Sequence, residues 1–350
     1  EHILPVTQSK GTSAAHPFLS PDAACADFEI VDTTNLGGTA QRTTDMIQYE
    51  YARSALKMGL EFEESLGANP FKFGMVGSTD SHAGLPATRE DNWWGKAPFL
   101  EPSPNRWKDV LIRSSLDPEL DLTALQLAAS GLAGVWATDN TREAIWDAMA
   151  RREVFGTTGT RLQIRVFGGY GFGSDDLSQT DLATKGYAAG VPMGSDLTAA
   201  PEGASPGFLV EAMRDPLGAN LDRIQIVKGW LDENGASQEE VHNVVWSNAD
   251  VRALDAQGNL ASVGSTVNEM EATYSNSIGA DALRGFWQDP DFDPAQKAFY
   301  YARVMEIPTP RWLAYDRKNY DLYDEMPEDV RYSSQERAYS SPIWYSPRPR

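Results

Sequence analysis

Cysteine is almost missing from this chain of 350 residues. Cys25 is the only one, so no intramolecular disulfide can form and no cysteine cluster can hold zinc. Positive charge is scarce as well. Thirty Lys and Arg face fifty Asp and Glu, a formal net charge of −20. Such a field repels nucleic acid and anionic membranes at long range. An anionic substrate would need local cations or a metal ion to enter it. No window approaches the roughly 18 to 20 apolar residues that a membrane-spanning helix needs. There is no Gly-rich phosphate loop and no serine nucleophile elbow. The run Gly168-Gly169-Tyr170-Gly171-Phe172-Gly173 lacks the flanking strand and helix of a dinucleotide fold. The four histidines include no His-x-His pair.

What is present reads as a globular chain. Apolar residues make up 41%, with ten Trp and thirteen each of Tyr and Phe, enough for a substantial core. Ile3 to Gln8 reads as a short strand, and Lys10 to Ser13 as a turn or ligand loop. Residues 43 to 66 read as one long helix, because Met46, Ile47, Ala52, Leu56 and Leu60 recur near helical spacing. Gly67-Ala68-Asn69-Pro70 stops it. Phe71 to Gly77 is an apolar run expected to be a buried strand, and it ends in Ser78-Thr79-Asp80-Ser81-His82. Residues 121 to 130 read as a short helix, Asn140 as the cap of the next one, and Val154 to Thr157 as a strand. From residue 162 the character changes. Short runs alternate apolar and polar residues between Gly-, Asp- and Asn-rich turns, the pattern of antiparallel β structure. Residues 340 to 350 read as an extended arm.

Polar residues at the C-terminal end of a buried strand are what an α/β protein presents at its active edge. This order singles out Asp80 and His82. At i and i+2 of an extended segment the two side chains project to one side, where a carboxylate and an imidazole can share zinc, manganese or iron. The plainer reading is an Asp–His pair bracing a loop. His16 follows the first strand and is a further candidate ligand; otherwise it is a hydrogen-bonded loop histidine. Candidates for holding an anionic substrate are Lys10, Arg89, Lys96 and Arg161, because ammonium and guanidinium groups bind phosphate or carboxylate. Thr158 lies just before Arg161 in Thr157-Thr158-Gly159, whose hydroxyls and amides suit an anion. Trp93 could close over a substrate or belong to the core. Glu90-Asp91 could supply a general acid or base, or be ordinary surface.

Longer blocks carry a resemblance. Gly77-Ser78-Thr79-Asp80-Ser81-His82-Ala83-Gly84-Leu85 with Glu90-Asp91-Asn92-Trp93-Trp94-Gly95-Lys96 resembles the DUF3604 family. So do Gly131-Leu132-Ala133-Gly134-Val135-Trp136-Ala137, Gln225-Ile226-Val227-Lys228-Gly229-Trp230 and Glu306-Ile307-Pro308-Thr309-Pro310-Arg311-Trp312. These blocks run in order over nearly the whole chain. The family looks like a branch of the PHP (polymerase and histidinol phosphatase) superfamily of metal-dependent hydrolases. The resemblance implies an α/β fold: residues 1–161 forming the C-terminal part of a PHP-like distorted (β/α)7 barrel with a Trp-rich loop, and residues 162–350 an antiparallel β-rich domain with a C-terminal arm. It implies divalent metal ions (zinc, manganese or iron) on Asp80 and His82, and a small-molecule ester substrate, phosphorylated in the phosphoesterase case. Ala14 stands where members usually carry a carboxylate. The absent His-x-His implies that the chain begins after most of the barrel, as a fragment or processed product. A missing N-terminal segment or a homo-oligomer would then complete the site, and similar proteins suggest a periplasmic or extracellular location. The alternative is a non-catalytic carbohydrate- or protein-binding assembly protein on a degenerate hydrolase fold. A hydrolase of another ester or amide would use the same residues.

Overall fold

The computed structural model describes residues 2–21, 23, 26–129 and 131–347. Cys25, and Ser130 at the end of the expected 121–130 helix, lie outside them. The chain opens with β1 (Ile3–Gln8), which turns back into β2 (Gly11–Thr12). Helices α1 (Thr44–Ile47) and α2 (Ala52–Leu66) follow, then β3 (Gly74–Gly77). The single helix expected over 43–66 is therefore broken. Tyr51 is extended, and the N–H groups of Ala52 and Arg53 donate to the carbonyls of Ser13 and Ala14 at 2.7 and 3.0 Å. The start of α2 thus finds its acceptors in another loop rather than in a preceding helical turn. Gly67, at φ +78°, caps its end.

Residues 90 to 126 form short 3₁₀ turns and the small ribbon of β4 (Val110–Ile112) and β5 (Leu122–Thr123). The expected 121–130 helix is instead β5 followed by a 3₁₀ turn at Ala124–Gln126. β6 (Leu132–Val135), α3 (Arg142–Ala150), β7 (Val154–Thr157) and β8 (Gln163–Gly169) come next. Thr141, not Asn140, caps α3, its hydroxyl accepting from the Ala144 N–H. The remainder holds α4 (Leu182–Ala189), β9 (Val191–Pro192), β10 (Gly207–Met213), β11 (Leu221–Leu231), β12 (Ser237–Trp246), β13 (Ala282–Gln288), β14 (Ala298–Glu306), β15 (Thr309–Pro310), α5 (Trp312–Asn319), β16 (Ser333–Ser334), β17 (Arg337–Ser340) and β18 (Ile343–Tyr345).

The expected (β/α)7 barrel is absent. Among the described residues the strands form open sheets, and β1 with β3 is the one parallel pair of named strands. A barrel needs parallel neighbours joined by repeated helical crossovers. Here one such crossover exists, through α2. The largest sheet runs β12-β11-β14-β17-β7-β6, with β18 also paired to β14, and its pairings are antiparallel. A four-stranded antiparallel sheet, β13-β10-β8-β9, packs on one of its faces. Ile164, Val166, Phe208 and Val210 meet Ile224, Ile226, Tyr300 and Val304 there. On the other face α2, β1 and β3 cover Val227, Phe299, Tyr301 and Tyr339 with Leu56, Leu60, Val6 and Met75. The large sheet is the middle layer, which explains why β14 is buried along its whole length. Burying each such side chain is worth roughly 1.5–3 kcal/mol. A third cluster gathers Trp93, Trp107, Leu127, Trp312 and Tyr332 under the Trp-rich loops. No helix of the described residues is long and apolar enough to cross a membrane.

Candidate functional site

The parallel register of β1 and β3, Ile3 opposite Gly74 through Thr7 opposite Gly77, brings their C-terminal ends together. Ser9-Lys10 and Ser78-Thr79-Asp80 leave the sheet side by side. The Ser78 N–H donates to Thr7 O at 3.0 Å, and the Gly131 N–H to Ser78 O at 3.0 Å. Close approach here requires glycine. A Cβ on Gly77 would stand 2.4 Å from Thr157 O, and one on Gly131 would stand 2.3 Å from Thr7 Oγ1. The strand end is therefore locked against β6 and β7.

Above this floor Asp80 adopts φ +48°, a left-handed conformation uncommon for a residue with a side chain. Its Oδ2 lies 2.6 Å from Lys96 Nζ and 3.0 Å from Lys10 Nζ. Both contacts are ion pairs made by the same carboxylate oxygen. Lys96, only 5% exposed, also donates to the Asp80 carbonyl at 2.7 Å. Burial pushes the Asp80 carboxyl up, but hydrogen bonding and charge from Lys96 and Lys10 outweigh it and hold the group below the usual aspartate range. Burial lowers Lys96, and Asp80 recovers part of that shift. His82 Nε2 is 3.3 Å from Asp80 Oδ1, its ring is exposed, and its backbone N–H donates to Lys96 O at 2.6 Å. Asp80, His82, Lys10 and Lys96 thus form one constellation.

The other residues singled out by sequence lie elsewhere. His16 is buried; its Nδ1 accepts the Phe18 N–H at 3.0 Å and its Nε2 meets Asp32 at 3.1 Å. Since Nδ1 accepts, the proton sits on Nε2 and no ring lone pair is left for a metal. Ala14 is buried in the α2 layer. Trp93 packs on Trp312 at 4.7 Å, with Arg106 over both rings, and is core. Arg161 is exposed, and its backbone N–H donates to Asp215 at 3.2 Å. Among the described residues no three His, Cys, Asp or Glu side chains converge as a metal-binding group.

A second polar site lies beyond the end of β7, around a cavity of about 110 Å³. Arg89 lines it and pairs with Asp91. Gly159, at φ +130°, turns the chain so that the flanking threonines face two buried acids. Thr158 donates to Glu336, and Thr160 donates to Glu306 Oε1 at 2.6 Å. Burial pushes Glu306 up to about 8 and Glu336 well above the usual glutamate range. Glu90 accepts the N–H groups of Ala129 and Trp312 at 2.9 and 2.6 Å, fixing the start of α5, and burial raises it to about 7. Sequence reading missed Glu306 and Glu336. The legible signal was a glutamate closing a mostly apolar strand, since buried charge is rarer than buried apolar surface.

The whole chain was then compared with known proteins. Residues 1–347 match the family described as "Protein of unknown function (DUF3604)". The chain belongs to the DUF3604 family. No curated protein and no solved structure matches it.

Proposed function

We propose that this DUF3604 chain supplies part of a divalent-metal hydrolase centre for an ester substrate, of phosphoesterase type, through Asp80 and His82. The observation that carries the reading is the 3.3 Å separation of Asp80 Oδ1 and His82 Nε2. Two ligands of one tetrahedral ion with bonds of about 2.1 Å stand about 3.4 Å apart. The exposed imidazole adds to it. The likeness of the motif blocks to the PHP superfamily points the same way, although fold kinship alone never fixes chemistry. Two donors are fewer than the three protein ligands of a catalytic zinc site. In this proposal the remainder come from another segment or a second copy.

A bound zinc, manganese or iron would polarise the ester and lower the pKa of attacking water. The chain's own residues do the rest. Asp80 and His82 hold and aim the centre, and the left-handed turn at Asp80 fixes the carboxylate. Lys10 and Lys96 offset the charge that an anionic ester brings into an acidic protein. Arg89 and Thr158 line or support the second cavity and have no part in this step.

The test is metal content of the purified protein after incubation with zinc, manganese or iron, beside Asp80→Ala and His82→Ala, together with hydrolysis of p-nitrophenyl phosphate. Wild type should retain metal and the two variants lose it. Equal metal content in all three sinks the reading. A second reading is favoured by the two lysines, which already compensate Asp80: the loop is braced by ion pairs in a non-catalytic binding protein. It predicts no retained metal in the wild type and no turnover.

A further inference from the structure

The cavity beyond β7 stands on observations independent of the Asp80 reading. Its walls carry an excess of acid. Glu306 and Glu336 are 1% and 8% exposed. Each has one oxygen engaged by a threonine hydroxyl, and the other oxygen has no hydrogen-bond partner among the described residues. Nearby cations are committed elsewhere: Arg89 to Asp91, Arg214 to Asp281 and Arg311 to Glu29. Tyr274 and Tyr315 complete the wall. A cavity of about 110 Å³ has room for a short chain of water-sized groups.

Buried carboxyls without counter-charge must take up either a proton or a cation. A hydroxylated ligand relieves only part of that penalty, as the threonine hydroxyls already do. The field of a chain with net charge −20 also concentrates cations in such a cleft. A compact metal ion is poorly matched, because no three acids among the described residues converge on one point. An organic ion with N–H donors and an aliphatic body matches both the pair of carboxyls and the aromatic walls. We propose that this cavity binds a small organic ammonium ion, its N–H groups donating to the free oxygens of Glu306 and Glu336 and its carbon chain lying against Tyr274 and Tyr315.

The groups facing the two acids are Glu29, Glu90, Asp215, Arg214 and the hydroxyls of Thr158 and Thr160. Burial favours the protonated form of both acids, so a cation must displace a proton, and binding should tighten with pH by up to about tenfold per unit for the Glu306 proton alone. The experiment is isothermal titration calorimetry of the full chain with putrescine, and with glucose as a neutral comparison, at pH 6.5 and 8.5. Putrescine should bind saturably at pH 8.5 and about tenfold or more weakly at pH 6.5. Glu306→Gln and Glu336→Gln keep the shape of a protonated carboxyl and should each weaken binding at pH 8.5 by about tenfold. Tyr274→Ala, at a half-buried position, is the second kind of variant and should weaken it severalfold. No saturable putrescine binding at pH 8.5 overturns the proposal. So does binding that both Gln variants leave unchanged, or a glucose isotherm in place of the putrescine one. Should neither Gln variant melt cooperatively, unchanged binding by Tyr274→Ala overturns it alone.

Discussion

Asp80 and Glu306 are both carboxyls near the C-terminal end of a buried strand, one beyond β3 and the other closing β14. Burial pushes both toward the protonated form. Asp80 nevertheless stays below its usual range, because two ammonium groups lie within 3.0 Å of Oδ2. Glu306 is met by a threonine hydroxyl and rises to about 8. The sign of the shift is therefore set by the counter-charge, and burial only sets how much rides on it. One site is an ionised carboxylate held by fixed cations. The other is a pair of acids awaiting one.

The largest way to break this contrast is Glu306→Gln. In the wild type the unfolded chain ionises Glu306 near its ordinary value of 4.5, whereas the folded chain keeps the proton until about 8. Between those values the native state binds more protons than the unfolded state, so stability falls as pH rises. The loss at pH 8 amounts to as much as roughly 4 kcal/mol. The Gln variant cannot ionise and should flatten the profile, being the more stable protein at pH 8. Urea midpoints at pH 5 and pH 8 for both proteins check this, and parallel profiles refute it.

Gly77→Ala should come next. The added methyl would stand 2.4 Å from Thr157 O and 2.7 Å from Leu132 O. Backbone cannot yield as a side-chain tip does, so a loss of about 3 kcal/mol is expected by chemical denaturation. It should disturb the Asp80 loop, which rests on this floor. Lys96→Met tests the contrast from the charge side. It removes a buried ammonium from both Asp80 Oδ2 and the Asp80 carbonyl. Lys10 remains, so the loss should be about 2 kcal/mol, short of the 3–5 seen when a buried charge loses its whole partner.

The two sites also differ in how far sequence could foresee them. The Asp80 site is local. A strand, a turn and Asp-x-His are contiguous, so periodicity and spacing place them, and the match of Lys10 to the same loop follows from one parallel pairing. The second cavity is assembled from residues 88–91, 159–160, 215, 217–219, 306 and 336 among others, segments that meet only after the large sheet has formed. Nothing in Thr157-Thr158-Gly159-Thr160 announces that its hydroxyls will meet Glu306 and Glu336. The fold shows the same division. The alternating runs after residue 162 became β8, β10, β11, β12 and β14, because strand periodicity is a local signal. The barrel failed because it is a statement about neighbours. β7 sits between β6 and β17 in antiparallel pairing, and sequence spacing carries no record of that choice.

His82→Ala is the smallest change and separates structure from chemistry at the first site. The ring is 66% exposed, and its one side-chain contact is Asp80 at 3.3 Å. Asp80 keeps both lysines without it, so stability should move by less than about 0.5 kcal/mol. If the pair ligates an ion, metal content should nonetheless fall, since an imidazole lost from a two-donor set removes half of what this chain contributes. A variant as stable as wild type and as rich in metal would make His82 a bystander and leave Asp80 as the anchor of an ion-paired loop. A stable variant that has lost its metal would instead show that the exposed face of the Asp80 turn is kept open for a ligand.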